Sequence, residues 1–532
     1  MQESESQESL YSDEDGFNDS AEFLVHSNPD ILEEICEYIA HEGDLDSEEM
    51  ASSRSDLFAV MMTCRAFVEP AVSRLWRSLD SLYPLLKLLP AFVQVDGTYV
   101  LRGHISAEDW ERFDLYASRV RKFSYARDPP DLDIAMHVYF RLALMRSKPM
   151  LPSLRQLFCP STSQDNFLVS GIFLFLSSSL QRIEIGDISP MEDKLCGTVL
   201  HTLSSEGAQL EKIALRGHGL TKDTLGLAAK FQSLRELEVI GMGPSLTMEF
   251  LEEIGALPWL VELALDFTDS TLTTVERDLG MKDLKGFMVH APFRFIQAMM
   301  SHISTQHLEA IIFVSPNDAL FDKKQFLEEI ATRWKDTLLR IAVVHHQAGE
   351  EPEELTVDTL SPLIGLPRLT YFRLEGYTMQ LDDETIAVFA RAWPQLHTLL
   401  LPFIGGGQPR PTINALRLLS LLSPKLRNLR IPLDTRDLPP FVSSGSPQEP
   451  AHMLHTLTIA TADDPWELRT LLHLARHIDY CFPDVDSVLA HENHDEDKWL
   501  QVHEMIQMYQ AVRQEERGFE RERMIREEYD LL

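Results

Sequence analysis

From about residue 120 onward the apolar residues fall into one recurring pattern, L-x-x-L-x-L with conservative replacements. It runs through Val120/Phe123/Tyr125, Leu154/Leu157/Cys159, Leu180/Ile183/Ile185, Leu210/Ile213/Leu215 and Leu234/Leu237/Val239. It continues at Leu260/Leu263/Leu265, Leu284/Phe287/Val289, Leu308/Ile311/Phe313 and Leu338/Ile341/Val343. Leu369/Phe372/Leu374, Leu396/Leu399/Leu401, Leu426/Leu429/Ile431 and Leu454/Leu457/Ile459 complete the series. Within each triplet the last two apolar residues stand two apart, the spacing that puts side chains on one face of a short strand. Between triplets, segments such as 247–254, 324–334, 383–393 and 412–422 carry apolar residues at helical spacing instead.

From Leu154 onward the first positions are 24 to 31 residues apart. Strand and helix alternating at that period predict an α/β leucine-rich-repeat solenoid, a horseshoe, over residues 118–462. No single repeat can bury its own apolar face, and stacking repeats buries one continuous core. Residues 463–490 contain an amphipathic pattern, Trp466–Tyr480, that predicts a C-terminal capping helix. Residues 491–532 predict a charged, solvated helical tail. In each strand the residues flanking the core positions face the concave side. Met288, His290, Ile312, Val314, Ala342, Val344, Arg373 and Glu375 are therefore candidate substrate-binding residues, an apolar patch with a polar rim.

The chain before the repeats is different. Residues 1–21 are rich in Glu, Ser, Asp and Gln and predict a disordered acidic tail. Residues 22–80 predict a small helical module, and 81–117 a helical linker or N-terminal cap. In the module, Ile31, Leu32, Ile35, Tyr38 and Ile39 form one helical stripe behind Pro29. An acidic, Ser-containing insert follows at 40–55. Leu57, Phe58, Val60, Met61, Cys64, Phe67 and Val68 form a second stripe; Pro70 stops or restarts the helix, and Val72, Leu75, Trp76 and Leu79 form a third. Three short helices enclose little core, so their apolar faces want a partner.

The stretch 28–79 resembles an F-box. Pro29, Ile31, Leu32, Ile35, Leu57, Cys64, Arg65, Phe67, Leu75 and Trp76 match the family pattern of Leu-Pro, Ile-Leu-x-x-Ile, a Leu-to-Cys-Arg-x-Phe run and Leu-Trp. Asn28 stands where the family has Leu, and the 40–55 insert lengthens the first connection. With the repeats behind it, the layout is similar to the expanded fungal F-box proteins. The resemblance implies a non-catalytic substrate-recognition subunit of a cullin-type (SCF) ubiquitin ligase, with the repeats holding a protein substrate. The Skp-type adaptor would then meet Pro29, Ile31, Leu32, Ile35, Leu57, Val60, Cys64, Phe67, Leu75 and Trp76. The alternative is a repeat scaffold with no ubiquitin connection, its helical head serving as a cap.

Charge and cysteine usage narrow the rest. Formal net charge is −35, and no Lys or Arg precedes Arg54, so nucleic-acid binding and an N-terminal signal or transit peptide are not expected. The longest apolar run, 167–180, is too short to span a bilayer. Five scattered cysteines without C-x-x-C spacing point to reduced thiols in cytosol or nucleus, with no zinc site. His491, Glu492, His494, Asp495, Glu496 and Asp497 lack the spacing of a helical metal pair. Gly405-Gly406-Gly407 is not followed by Lys-Ser/Thr, so it is no phosphate loop. His345-His346 is expected at an exposed strand end. No nucleophile elbow occurs. A cofactor-free, non-enzymatic monomer outside its complex is the expectation.

Overall fold

The structure, a computed structural model, describes residues 28–40, 47–125, 133–146, 148–159, 171–241, 246–268, 272, 274–316, 321–345, 352–402, 410–436, 438–441, 452–460, 468–491 and 496–529. Residues 1–21 and Gly405–Gly407 lie outside these residues. The chain forms two compact units, 1–183 and 184–532.

The first unit opens with three helices, α1 (Pro29–Ala40), α2 (Ser47–Met61) and α3 (Arg65–Leu75). Cys36, Leu57 and Ala71 form their shared core, with Ile39, Val60, Met61, Phe67 and Leu75 packed around it. Two details depart from the sequence expectation. The second half of the 40–55 insert is helix, because Ser53 Oγ donates to the Ile39 carbonyl at 2.9 Å and Arg54 pairs with Asp80 at 3.2 Å. Pro70 lies inside α3 and does not break it. The break falls at 62–64, where Thr63 Oγ1 takes up the Val60 carbonyl and Cys64 turns extended before Arg65.

Residues 81–117, expected to be helical, also carry a hairpin. After the short α4 (Tyr83–Leu86), β2 (Phe92–Val95) and β3 (Thr98–Leu101) pair antiparallel through an Asp96-Gly97 turn with both residues at positive φ. That dipeptide is the strongest short hairpin signal, and it overrides the helical reading. A helix α5 (Ala107–Ala117) then starts from a capping box of Ser106 and Asp109. The strands β1 (Ser78–Leu79), β4 (Lys122–Ser124) and β6 (Gln156–Cys159) run parallel to one another. Between the last two lie β5 (Asp133–Ile134), which joins β3, and α6 (His137–Met145).

The second unit is the repeat array. Its strands are β7 (Arg182–Ile188, which crosses the unit boundary), β8 (Lys212–Gly217), β9 (Glu236–Ile240), β10 (Glu262–Asp266), β11 (Gly286–His290) and β12 (Ala310–Ser315). They continue as β13 (Arg340–His345), β15 (Tyr371–Glu375), β17 (Thr398–Leu400), β18 (Asn428–Pro432), β19 (Thr456–Ala460) and β20 (Ser487–Ala490). All belong to one sheet in chain order, and β14 (Glu354–Leu355) with β16 (Thr378–Met379) forms a small separate ladder. Between strands lie α7 (Asp193–Ser205), α8 (Lys222–Ala228), α9 (Met248–Gly255), α10 (Phe293–His302) and α11 (Lys323–Arg333). Then come α12 (Val357–Ile364), α13 (Asp383–Ala392), α14 (Ile413–Leu422), α15 (Leu468–Cys481) and α16 (Glu496–Tyr529).

The pairing never slips. Leu237, Leu263, Phe287, Ile311, Ile341, Phe372, Leu399, Leu429 and Leu457, the middle residues of successive triplets, are direct partners along the sheet. Every triplet residue named above is buried except Tyr125, which is half-buried. Each fully buried Leu or Ile contributes roughly 1.5–3 kcal/mol, and a one-residue slip would turn all of a strand's core residues outward.

The C-terminal end differs from expectation. The predicted cap at 463–490 is a helix, α15, followed by one more strand, β20, so the sheet goes on where it was expected to stop. Closure comes instead from the first half of α16, whose Trp499, Val502 and Ile506 are almost fully buried. The outer face of this first half, with Leu500, Glu504 and Met508, is exposed, as are residues 514–519 of the Glu/Arg-rich part.

Two buried histidines in this region share one protonation state. His452 Nε2 faces the Ser423 carbonyl at 3.0 Å, so it carries the proton, and its Nδ1 accepts from the Leu454 N–H. His477 repeats this with the Pro439 carbonyl and the Arg417 guanidinium. Burial, the leading cause, lowers both pKa values. The unfolded chain therefore binds the extra protons first. The stability these neutral rings supply is complete above the ordinary histidine value and is lost as pH falls through the lowered folded values. Hydrogen exchange of 468–481, corrected for intrinsic rates, is expected to accelerate between about pH 7.5 and about pH 5. Unchanged protection would show that these histidines do not titrate during local opening.

Candidate functional site

The candidate binding residues fall on two surfaces, one in each unit. On the three-helix head, the residues expected to meet an adaptor divide by burial. Leu32 and Leu57 are each 3 % exposed and point into the head. Ile31, Ile35, Val60, Cys64, Phe67 and Leu75 are half-buried, and Pro29 is exposed. Trp76 is half-buried and its ring lies 4.8 Å from that of Tyr116 on α5. The large apolar side chains left in solvent are others: Tyr38, Phe58, Met62 and Val68. Of these, Met62 belonged to no predicted stripe.

In the second unit, strand residues alternate between the helix-packed core and the open face of the sheet. The expected concave residues lie on that open face as two columns. Met288, Ile312, Ala342 and Arg373 are direct partners across β11, β12, β13 and β15, and so are His290, Val314, Val344 and Glu375. Seven of these eight are half-buried. Ala342 is the exception at 2 % exposure, since its methyl lies between the larger Ile312 and Arg373. It is floor and not contact surface.

The charged residues of this face are organised. Glu375 accepts from Arg373 and lies 3.2 Å from Arg430. Burial alone would raise its pKa, but the hydrogen bonds and positive charge of those two arginines hold it below the ordinary carboxylate value. Toward the start of the unit, Lys212 bridges Glu184 at 2.9 Å and Glu236 at 3.5 Å, and Arg216 forms a two-point pair with Glu238. Sequence reasoning missed this end, because it took its candidates from the middle repeats, β11 to β15. His290 lies 3.4 Å from Asp266, whose carboxylate also accepts from Thr268 and the Gly241 N–H. Burial opposes ionisation of Asp266, yet these donors hold its pKa far below the usual range.

Two open depressions indent the same face. One, of about 200 Å³, runs over Lys212, Glu236, Glu238, Glu262, Gly286 and Met288; the other, of about 290 Å³, over Tyr371, Thr370, His397 and Thr398. Ile312 and Arg340 line both. Shallow troughs of this kind suit side chains of a docking chain better than an enclosed small molecule.

No family model and no curated protein matches the chain. A solved structure, the crystal structure of a TLR13–ssRNA13 complex, is similar at 15% identity and a TM-score of 0.35. The aligned region covers 66% of this chain and 44% of that one, so the chain spans less than half of its length. The strand–helix repeat is established by its own register and burial.

Other chemistry is thin among the described residues. No group of three or more metal-ligating side chains occurs there, and Glu492, His494 and Asp495 lie outside them. No described helix is long and apolar enough to cross a membrane. Burial pushes the Cys196 and Cys481 thiols up to about 12, which makes them poor nucleophiles. His345, expected at an exposed strand end, is buried, with its Nδ1 facing the Ser315 carbonyl at 3.1 Å.

Proposed function

We propose that the chain is a non-catalytic substrate-recognition subunit of a cullin-type ubiquitin ligase. Its α1–α3 head docks on a Skp-type adaptor, and the open face of the repeat sheet holds a protein substrate. The F-box resemblance of residues 28–79 motivates the first half. The observation that carries it is the head's surplus of apolar surface: Tyr38, Phe58, Met62 and Val68 stay in solvent while Cys36, Leu57 and Ala71 already make the core. Large exposed apolar side chains on a small helical module are what a partner groove takes up. The contribution to catalysis is then proximity, a held substrate lysine meeting activated ubiquitin at high effective concentration.

A second reading, a protein-binding repeat scaffold with no ubiquitin connection, is favoured by one observation. Trp76, a key residue of the family pattern, is engaged with Tyr116 inside the first unit.

Co-purification with a Skp-type adaptor separates the two. Leu32 and Trp76 are poor positions to test, since one is core and the other packs on α5. The double variant Phe58→Asp/Met62→Asp alters exposed positions only. Wild type is expected to give a stoichiometric complex, and the variant to bind at least tenfold more weakly, roughly the effect of a lost hot spot, with unchanged melting. No complex with wild type would leave the scaffold reading.

A further inference from the structure

The open face of the second unit changes character in three steps along the sheet. On β7 to β10 it presents Glu184, Glu236, Glu238, Glu262 and Asp266 against Arg182, Lys212 and Arg216. On β11 and β12 it presents Gly286, Met288, His290, Ala310, Ile312 and Val314, with no carboxylate, Lys or Arg. On β13 to β18 the charged members are Arg340, Arg373 and Arg430 against Glu375. We propose that this face binds an extended protein segment of defined charge order. Basic side chains would lie over Glu236, Glu238 and Glu262, apolar ones over Gly286, Ala310 and Ile312, and acidic ones over Arg340 and Arg373. The inference rests on the substrate-holding half of the function proposed above and names the class of sequence held.

Charge complementarity carries the argument. Glu262 and Arg340 are both exposed, and neither has an ion-pair partner within 4.0 Å among the described residues; Arg340 only leans over the Tyr371 ring at 5.9 Å. They occupy the same column, Glu262–Gly286–Ala310–Arg340. Three strand spacings separate them by about 14 Å, the reach of roughly four extended residues. Between them the column has almost no side chain. A Cβ at Gly286 would come within 3.2 Å of Glu262 Cγ, so glycine leaves room both for that carboxylate and for the trough beside it. The troughs meet at Ile312 and Arg340, which gives an apolar floor bounded by opposite charges. A segment of uniform charge would meet repulsion at one end, which is how such faces reject wrong partners.

The test uses the full chain and three synthetic peptides of roughly eight residues, long enough to cross the column. Each has an apolar centre; one has Lys-Lys at one end and Glu-Glu at the other, one has Lys-Lys at both, and one has Glu-Glu at both. Fluorescence anisotropy near physiological salt is expected to show the mixed peptide binding about fivefold or more tightly than either uniform one, with the difference shrinking at about 1 M salt. Arg340→Glu should move the preference to the Lys-ended peptide and Glu262→Lys to the Glu-ended one, with unchanged melting. Equal binding of all three, no binding of any, or a preference unmoved by both swaps overturns the inference. Adaptor capture run on the same preparations keeps the failures apart. A captured adaptor without peptide discrimination defeats this inference alone, and discrimination without a captured adaptor defeats only the ubiquitin-ligase reading.

Discussion

Trp393→Ala is expected to destabilise the second unit by about 3–5 kcal/mol, the range for deleting a large aromatic from a packed core. Trp393 ends α13, is fully buried, stacks on Phe389 at 5.1 Å and meets a tilted Phe372 ring at 4.9 Å. Its Nε1 donates to the Leu363 carbonyl at 3.1 Å, at the end of the helix of the preceding repeat. Removal creates a cavity and orphans that carbonyl. Trp393→Phe should restore much of the volume but not the bond, and so cost about 1–3 kcal/mol. Trp334, which ends α11, makes a like bond to the Thr305 carbonyl just past α10, so the pair forms a recurring clamp between repeats. Urea unfolding followed by circular dichroism checks the series. A loss under about 1 kcal/mol for Trp393→Ala would mean the repeats hold together without the clamp.

The second large effect is expected at the end of the array. Val502→Asp should release α16, because a carboxylate would enter a site with no exposure. Trp499, Val502 and Ile506 supply the apolar contact, while Arg513 adds a two-point pair with Asp479 of α15 at 2.7 and 2.8 Å and reaches the Pro483 carbonyl. Gln510 caps the Val485 carbonyl at 2.9 Å. Limited proteolysis of the variant is expected to cut within 496–513 at a dose that leaves wild type intact. Phe519→Asp, at a position 71% exposed, should change stability by no more than about 0.5 kcal/mol. Equal resistance of Val502→Asp and wild type would show that α16 does not close the sheet.

These two positions show what the chain disclosed and what it hid. The triplets announced most of the sheet, because three leucine-like residues at fixed offsets leave little freedom for register. The helices at 248–255, 323–333, 383–392 and 413–422 matched their apolar patches. Strands β1 and β20 escaped. At β1 the third position is Ser81 and at β20 it is Ala490, so neither reads as L-x-x-L-x-L, although Leu79 and Val488 are buried in the usual way. The α16 seam was hidden because Trp499, Val502 and Ile506 are sparse among charges that dominate the rest of the helix. On the open face, the expected apolar columns were in place, but Glu236, Glu238 and Glu262 of β9 and β10 were not among the candidates. Their role depends on neighbours about 25 residues away in sequence, which only the register supplies. In the head, a helical stripe cannot say which of two adjacent apolar residues turns inward. Leu57 went in and Phe58 stayed out.

The central claim, a helical head that recruits an adaptor for a repeat face that binds protein, is tested most directly by hydrogen exchange of the full chain with and without a Skp-type adaptor. Protection confined to 29–76, strongest around Tyr38, Phe58 and Met62, with the strands of 184–490 unchanged, is the predicted result. Protection on the repeat strands, or none anywhere at saturating adaptor, would contradict it.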